Sequence, residues 1–256
     1  MIKAAFFDID GTLVSFNTHR VPESAIQAIE NLRRQGVKIF LATGRHPIWV
    51  KNIGFEFDGF VALNGGYCTT RAGEVIYMQV LSADDFKAML KYQQEVEPFA
   101  CACVLDNQIC INYVNDIAQG VYNLVGIEAP EVSDINQFAD TPVYQLIAFF
   151  NSEEEKDIMK VMPHSVAARW HPDFADVVPL GINKAVGIQH VLSRYGISQE
   201  ETIAFGDGGN DIAMLRYAGI GVAMGNAADE VKAEADYVTS SVDEDGIAKA
   251  LVRYIR

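Results

Sequence analysis

The apolar run Ala4-Ala5-Phe6-Phe7 stops at Asp8-Ile9-Asp10-Gly11-Thr12, so two acidic side chains stand where a buried strand would end. Side chains alternate along a strand, which points Asp8 and Asp10 the same way and Ile9 the other. Like charges crowded at such a position cost stability unless a cation or a reaction requires them. The spacing also resembles the opening of a calcium-binding loop. That loop demands a longer ligand series and a closing Glu after a helix, whereas this chain runs on into Thr12-Leu13-Val14.

Further clusters carry compatible chemistry. Leu41-Ala42-Thr43-Gly44-Arg45 offers a hydroxyl, a glycine turn and a guanidinium just past a second apolar run. Thr43 and the backbone amides around Gly44 are suited to donate to phosphate oxygens, and Arg45 to reach a more distal part of a substrate. Gly206-Asp207-Gly208-Gly209-Asn210-Asp211 follows another apolar run. A tight turn explains its glycines but not two more carboxylates. Asp207 is placed to complete a metal site with Asp8, and Asp211 to add a ligand or orient a coordinated water. Lys184, after Gly181-Ile182-Asn183, would act as a point charge balancing Asp8 and a transferring phosphoryl group.

The elements that must position these residues follow from the apolar pattern. Short apolar runs at 3–7, 37–41 and 60–63 read as buried strands. Pro22 and Glu23 open a helix carrying Ile26, Ile29 and Leu32 and closed by Gly36, and a second short helical stretch is predicted before Phe60. From Lys184 onward the same alternation returns: a helix to Tyr195, a strand at 202–205, a helix from Asp211, a strand at 220–223 and a last helix to about Tyr254. This grammar predicts a doubly wound, mostly parallel α/β sheet, with its ligands at the C-terminal strand edge. Residues 82–180 read differently, with paired strands at 100–105, 108–112 and 143–150 among helices. The expected organisation is therefore a core of residues 1–81 and 181–256, interrupted by an inserted α+β domain at 82–180 that hinges as a lid on two short crossings.

Composition narrows the partners. A formal net charge of -14 disfavours nucleic acid, whose binding draws on clustered Lys and Arg. An acidic protein that handles phosphate needs local positive charge, for which a divalent metal is the usual device. No apolar segment approaches a membrane span or a signal peptide, and Cys68, Cys101, Cys103 and Cys110 form no CxxC pair. The expectation is a cytoplasmic protein with reduced, buried thiols, no membrane partner and an oligomeric state left open.

FFDIDGTL at 6–13, ATGR at 42–45, Lys184 and GDGGND at 206–211, in this order along the whole chain, resemble the haloacid dehalogenase-like phosphatases, specifically the Cof-type subgroup. Asn64-Gly65-Gly66 and the insert that follows look like that family's large α+β cap. The resemblance implies Asp8 as a covalent nucleophile and Asp10 as general acid, then base. It implies Thr43 and Lys184 as phosphate and charge-balancing groups, and Asn210 as a residue orienting Lys184 or the phosphate. It implies Mg2+ held by Asp8, the Asp10 carbonyl and Asp207, with Asp211 in support. Ala185 and Gly66 depart from the family's commoner Gly and Ala without touching a reacting group. The implied substrate is a small phosphate monoester, foremost a hexose phosphate. Arg169, His171 and Asp176 are candidates for selecting it. A sugar-phosphate phosphomutase and a non-catalytic phospholigand-binding module stand as the alternatives.

Overall fold

The computed structural model describes residues 1–50 and 53–254. The chain forms two compact units, Met1–Tyr77 with Asn183–Arg256 and Met78–Ile182. The first unit opens with β1 (Ala4–Phe7), entirely buried, and α1 (Glu23–Arg34), which starts at Pro22 and buries Ala25, Ile29 and Leu32. Acidic Glu23 in its first turn and Arg33 and Arg34 in its last complement the helix dipole. Next come β2 (Lys38–Ala42), parallel to β1, and β3 (Gly59–Ala62), parallel to β2. Among the described residues between them, the predicted helix is replaced by a single 3-10 turn at Pro47–Trp49. Pro47 opens that turn, and Gly54 at φ +83 redirects the chain ahead of β3. The antiparallel β4 (Tyr67–Thr70) and the edge strand β5 (Val75–Met78), neither anticipated, complete this side.

The second unit runs through α2 (Ala83–Glu95), β6 (Cys101–Val104), β7 (Ile109–Ile111), α3 (Asp116–Leu124), β8 (Glu131–Val132), β9 (Gln145–Ala148), α4 (Ser152–Ile158), β10 (Ser165–His171) and β11 (Phe174–Pro179). Its six-stranded sheet has the order β10-β11-β9-β6-β7-β8, antiparallel except for β7 with β8. Helix α2 is capped by Ser82, and Phe86 and Met89 bring its apolar face onto Cys101, Cys103, Leu146, Phe150 and Val177. All four cysteines of the chain are free and buried, Cys103 and Cys110 facing each other across the β6–β7 pair.

The chain then returns to the first unit with α5 (Lys184–Tyr195), closed by left-handed Gly196, followed by β12 (Thr202–Gly206), α6 (Ile212–Tyr217), β13 (Ile220–Ala223), α7 (Asp229–Lys232), β14 (Tyr237–Val238) and α8 (Gly246–Tyr254). The sheet order is β14-β13-β12-β1-β2-β3-β4-β5. Strand β1 lies parallel between β12 and β2, Phe7 level with Phe205 on one side and Leu41 on the other. Its two faces are packed separately: Phe6 stacks on Phe40 at 5.1 Å and Phe7 on Phe205 at 4.9 Å. The fold is thus a doubly wound α/β sheet carrying an α+β insert. The strand order reverses at β1, where the next strand in sequence lies to one side and a strand from the far end of the chain to the other. Such a switch point opens a crevice beyond the strand ends. No described helix is long and apolar enough to cross a membrane.

Candidate active site

Asp8, Thr43 and Asp207 follow immediately on β1, β2 and β12, three neighbouring parallel strands, so they emerge along one edge of the sheet. Lys184 reaches them from the first position of α5, whose N-terminus is fixed by Asn183 accepting from the Val186 amide at 3.2 Å. The Lys184 ammonium is wholly buried and donates to Asp8 Oδ1 at 2.6 Å and to Asp211 Oδ1 at 2.5 Å. Burial alone would depress this ammonium, but the charges of Asp211 and Asp8 outweigh it and hold Lys184 above its ordinary value. The opposite holds at Asp8: burial first, then the Asp211 charge, push its carboxyl well above the usual range, against the pull of Lys184.

Asp207 stands beside this pair in a fitted cradle. Thr12 Oγ1 donates to its Oδ1 at 2.6 Å and Asn226 Nδ2 to its Oδ2 at 3.2 Å. Gly11 allows the approach, because a Cβ there would lie 2.2 Å from Asp207 Oδ2, and its φ of +84 is one that glycine adopts freely. Burial and Asp211 raise the Asp207 carboxyl to about 7. Asp8, Asp207 and Asp211 each present an oxygen, all within 4.8 Å of one another. Among the described residues, four carboxylates, Asp8, Asp10, Asp207 and Asp211, face two cations, Lys184 and Arg45, leaving a deficit equal to the charge of one divalent ion. Hard oxygen donors and this deficit fit Mg2+. Asp8 and Asp207 are the residues best placed to hold it. Asp211 is otherwise engaged: its Oδ1 accepts from Lys184, and its Oδ2 from the Asp207 and Gly208 amides, each at 2.9 Å.

Other expected residues are near but differently employed. Thr43 is buried, with its Oγ1 accepting from the Arg45 amide at 3.0 Å across half-buried Gly44. Arg45, suited by its sequence position to reach a more distal part of a substrate, is here turned to Asp10. Its guanidinium forms a two-pronged ion pair with Asp10, Nε to Oδ2 at 2.7 Å and Nη2 to Oδ1, because a planar fork matches a carboxylate lying within its reach. Asn210 likewise turns to Asn64, donating to its Oδ1 at 2.9 Å, rather than to Lys184. Asn64 is itself buried in a left-handed run, Leu63 φ 50, Asn64 φ 53 and Gly65 φ 96, and its amide donates to the Thr43 carbonyl at 3.1 Å. Bulky residues at positive φ are strained, and such strain concentrates at functional sites.

Thr12, Asn64 and Asn226 were not singled out as contributors from sequence. Thr12 lies inside the FFDIDGTL motif, but Asn226 is tied to the site through partners distant in sequence, among them the Gly11 carbonyl 215 positions away. In the second unit, Arg169, a candidate for selecting the substrate, clamps the chain around it. Its Nε and Nη2 bind Glu155 at 3.0 and 2.8 Å, while Nη1 donates to the carbonyls of His171, Pro172 and Phe174 and Nη2 to that of Phe150. His171 stacks on Phe174, and Asp176 is buried within β11.

This arrangement has known counterparts. The family model described as haloacid dehalogenase-like hydrolase matches residues 5–251. The protein YkrA of Bacillus subtilis is 37% identical over 259 residues, spanning 97% of this chain and 96% of its own. Among solved structures, a subclass IIB sugar phosphatase of the superfamily superposes with a TM-score of 0.92 at 41% identity, covering 98% of both chains. A superfamily phosphatase from Bacteroides thetaiotaomicron gives 0.90 at 40% identity, covering 99% of this chain and 95% of that one. With the fold, the acidic edge and nearly the whole length in common, the chain belongs to the haloacid dehalogenase-like hydrolases and is one of that family's phosphatases.

Proposed function

We propose that the protein is a Mg2+-dependent phosphatase of small phosphate monoesters, foremost hexose phosphates, working through an aspartyl-phosphate on Asp8. One observation carries the reading: a buried carboxylate, Asp8, 2.6 Å from a buried ammonium and inside a cluster short of two positive charges. When bound, the metal offsets repulsion between the carboxylates and the incoming anion and polarises the phosphoryl group. A carboxylate oxygen of Asp8 then attacks phosphorus, and the bond from phosphorus to the alcohol oxygen breaks. Asp10, once it has left its pair with Arg45 and taken up a proton from solvent, gives that proton to the alcohol oxygen, then takes one from the water that attacks the aspartyl-phosphate, so that inorganic phosphate leaves and Asp8 is regenerated. Lys184 holds Asp8 in place and balances charge on the phosphoryl oxygens. Thr43 and the amides around Gly44 donate to those oxygens, with Asn210 fixing the neighbouring turn.

In this reading residues 1–81 and 181–256 supply the chemistry, and the insert at 82–180 selects the leaving group. Kinship with a sugar phosphatase at 41% identity supports the sugar-phosphate class. Four free thiols support a reducing, cytoplasmic setting. The test is kcat/KM over a panel of sugar phosphates, nucleotides and other monoesters, with and without Mg2+, for wild type and Asp8→Asn. Release of inorganic phosphate without a bisphosphate activator, lost by roughly a thousandfold or more in the variant, is expected. Retained turnover in Asp8→Asn rejects the covalent route, and phosphate release that requires a bisphosphate favours a mutase.

A further inference from the structure

Asp207 is surrounded more closely than a turn residue needs to be. Gly11 Cα closes one side of its carboxylate, Thr12 Oγ1 supplies a donor to Oδ1, and Asn226 Nδ2 supplies one to Oδ2. Asn226 lies in the loop after β13 and is exposed, yet its amide is used three times. Besides Asp207, Nδ2 donates to the Gly11 carbonyl at 2.9 Å, and Oδ1 accepts from the Val242 amide at 3.0 Å. One side chain therefore ties together the loop carrying Asp10 and Gly11, the carboxylate after β12 and the turn beginning at Ser241.

We infer that Asn226 is a positioning residue for the metal: it fixes the carboxylate plane of Asp207 against the loop that follows Asp8. The chemistry favours a neutral amide for this task. A donor to one lone pair of each oxygen leaves the others directed elsewhere, and it orients the carboxylate without neutralising it as a cation would. A carboxylate held by three neighbours also loses little rotational freedom when a cation arrives, whereas a loose one must be ordered at that moment. Outer partners of this kind are worth about 10–100-fold in metal affinity. Asn226 touches no substrate atom in this assignment, and it acts only through Asp207.

The inference rests on the Mg2+ reading above, and the experiment separates the two. Isothermal titration of Mg2+ into metal-stripped protein, without substrate, gives the dissociation constant for wild type, Asn226→Ala, Asn226→Gln and Asn17→Ala. Asn17 donates to Asp243 at 2.7 Å, so its truncation removes a neighbouring tether between the same loops without touching Asp207. Melting in EDTA establishes that each variant is folded, and Asn226→Gln keeps the amide should alanine loosen the turn. The expected result is a Kd about 10–100-fold higher in both Asn226 variants, with Asn17→Ala unchanged and kcat recovering at saturating Mg2+. Equal affinity in wild type and the Asn226 variants overturns the inference alone. An equal loss in Asn17→Ala overturns it too, by reducing Asn226 to one loop tether among several. Absence of Mg2+ binding in wild type overturns the metal reading and this inference with it.

Discussion

A carboxylate buried among others must be satisfied by a proton or by a cation, and Asp207 is where that choice becomes measurable. Burial and Asp211 lift it from 3.8 to about 7. Because the folded value lies above the unfolded one, its contribution to stability in the metal-free protein is full below pH 3.8 and is lost as pH rises through about 7. Urea unfolding in EDTA should therefore show Asp207→Asn gaining on wild type between pH 5 and pH 8, and saturating Mg2+ should cancel the trend in wild type. A stability difference that stays flat over this range contradicts the assignment. Asp8, Asp10, Asp207 and Asp211 could be read from sequence because each pair sits within a few residues at the end of an apolar run. The bonds of Arg45 to Asp10 and of Asn210 to Asn64 could not, since a side chain with several reachable partners is decided by packing. Asn226 had no local signal at all, its partners lying in the loops that follow β1, β12 and β14.

Elements with one apolar character were legible, and elements with a mixed one were not. Strands β1, β2, β3, β12 and β13 are short apolar runs buried on both faces, and α5 spans Lys184–Tyr195 as its pattern indicates. The hairpin of β10 and β11 escaped notice because Arg169-Trp170-His171-Pro172-Asp173 reads as a polar loop, and the register shifts between Ala168 and His171. Arg169 makes that irregular hairpin possible by satisfying carbonyls that the interrupted ladder leaves over. Arg169 and Glu155 are 20% and 29% exposed, so their pair is largely but not wholly withdrawn from water, and removing the guanidinium also strips donors from four carbonyls. Arg169→Met should lower stability by about 3 kcal/mol, read by denaturant unfolding, while the ratio of kcat/KM between two good substrates stays within about twofold. A change of substrate ranking with unaltered stability would return Arg169 to the recognition role its sequence context suggests.

At the scale of the molecule, the alternation of strands and helices indicates a doubly wound sheet, but the seating of β1 between β2 and β12 depends on a pairing across almost the whole chain. Each unit encloses its own buried cluster, one around Phe86, Leu146 and Val177, the other around Phe6, Phe40 and Ile188. Every residue assigned to the metal belongs to the first unit. A ligand that binds only folded protein stabilises by mass action, about 2.7 kcal/mol at a hundred times its Kd. That energy reaches only those amides whose exchange requires opening the unit that binds it. Hydrogen exchange with and without Mg2+ at that concentration should therefore slow the core amides of β1, β2 and β12 by about a hundredfold and leave those of β6, β9 and β11 unchanged. Equal slowing in both sets would mean that the two cores open as one cooperative body. No slowing in either, at a Mg2+ concentration that supports turnover, would mean that the cation binds with the substrate and not before it.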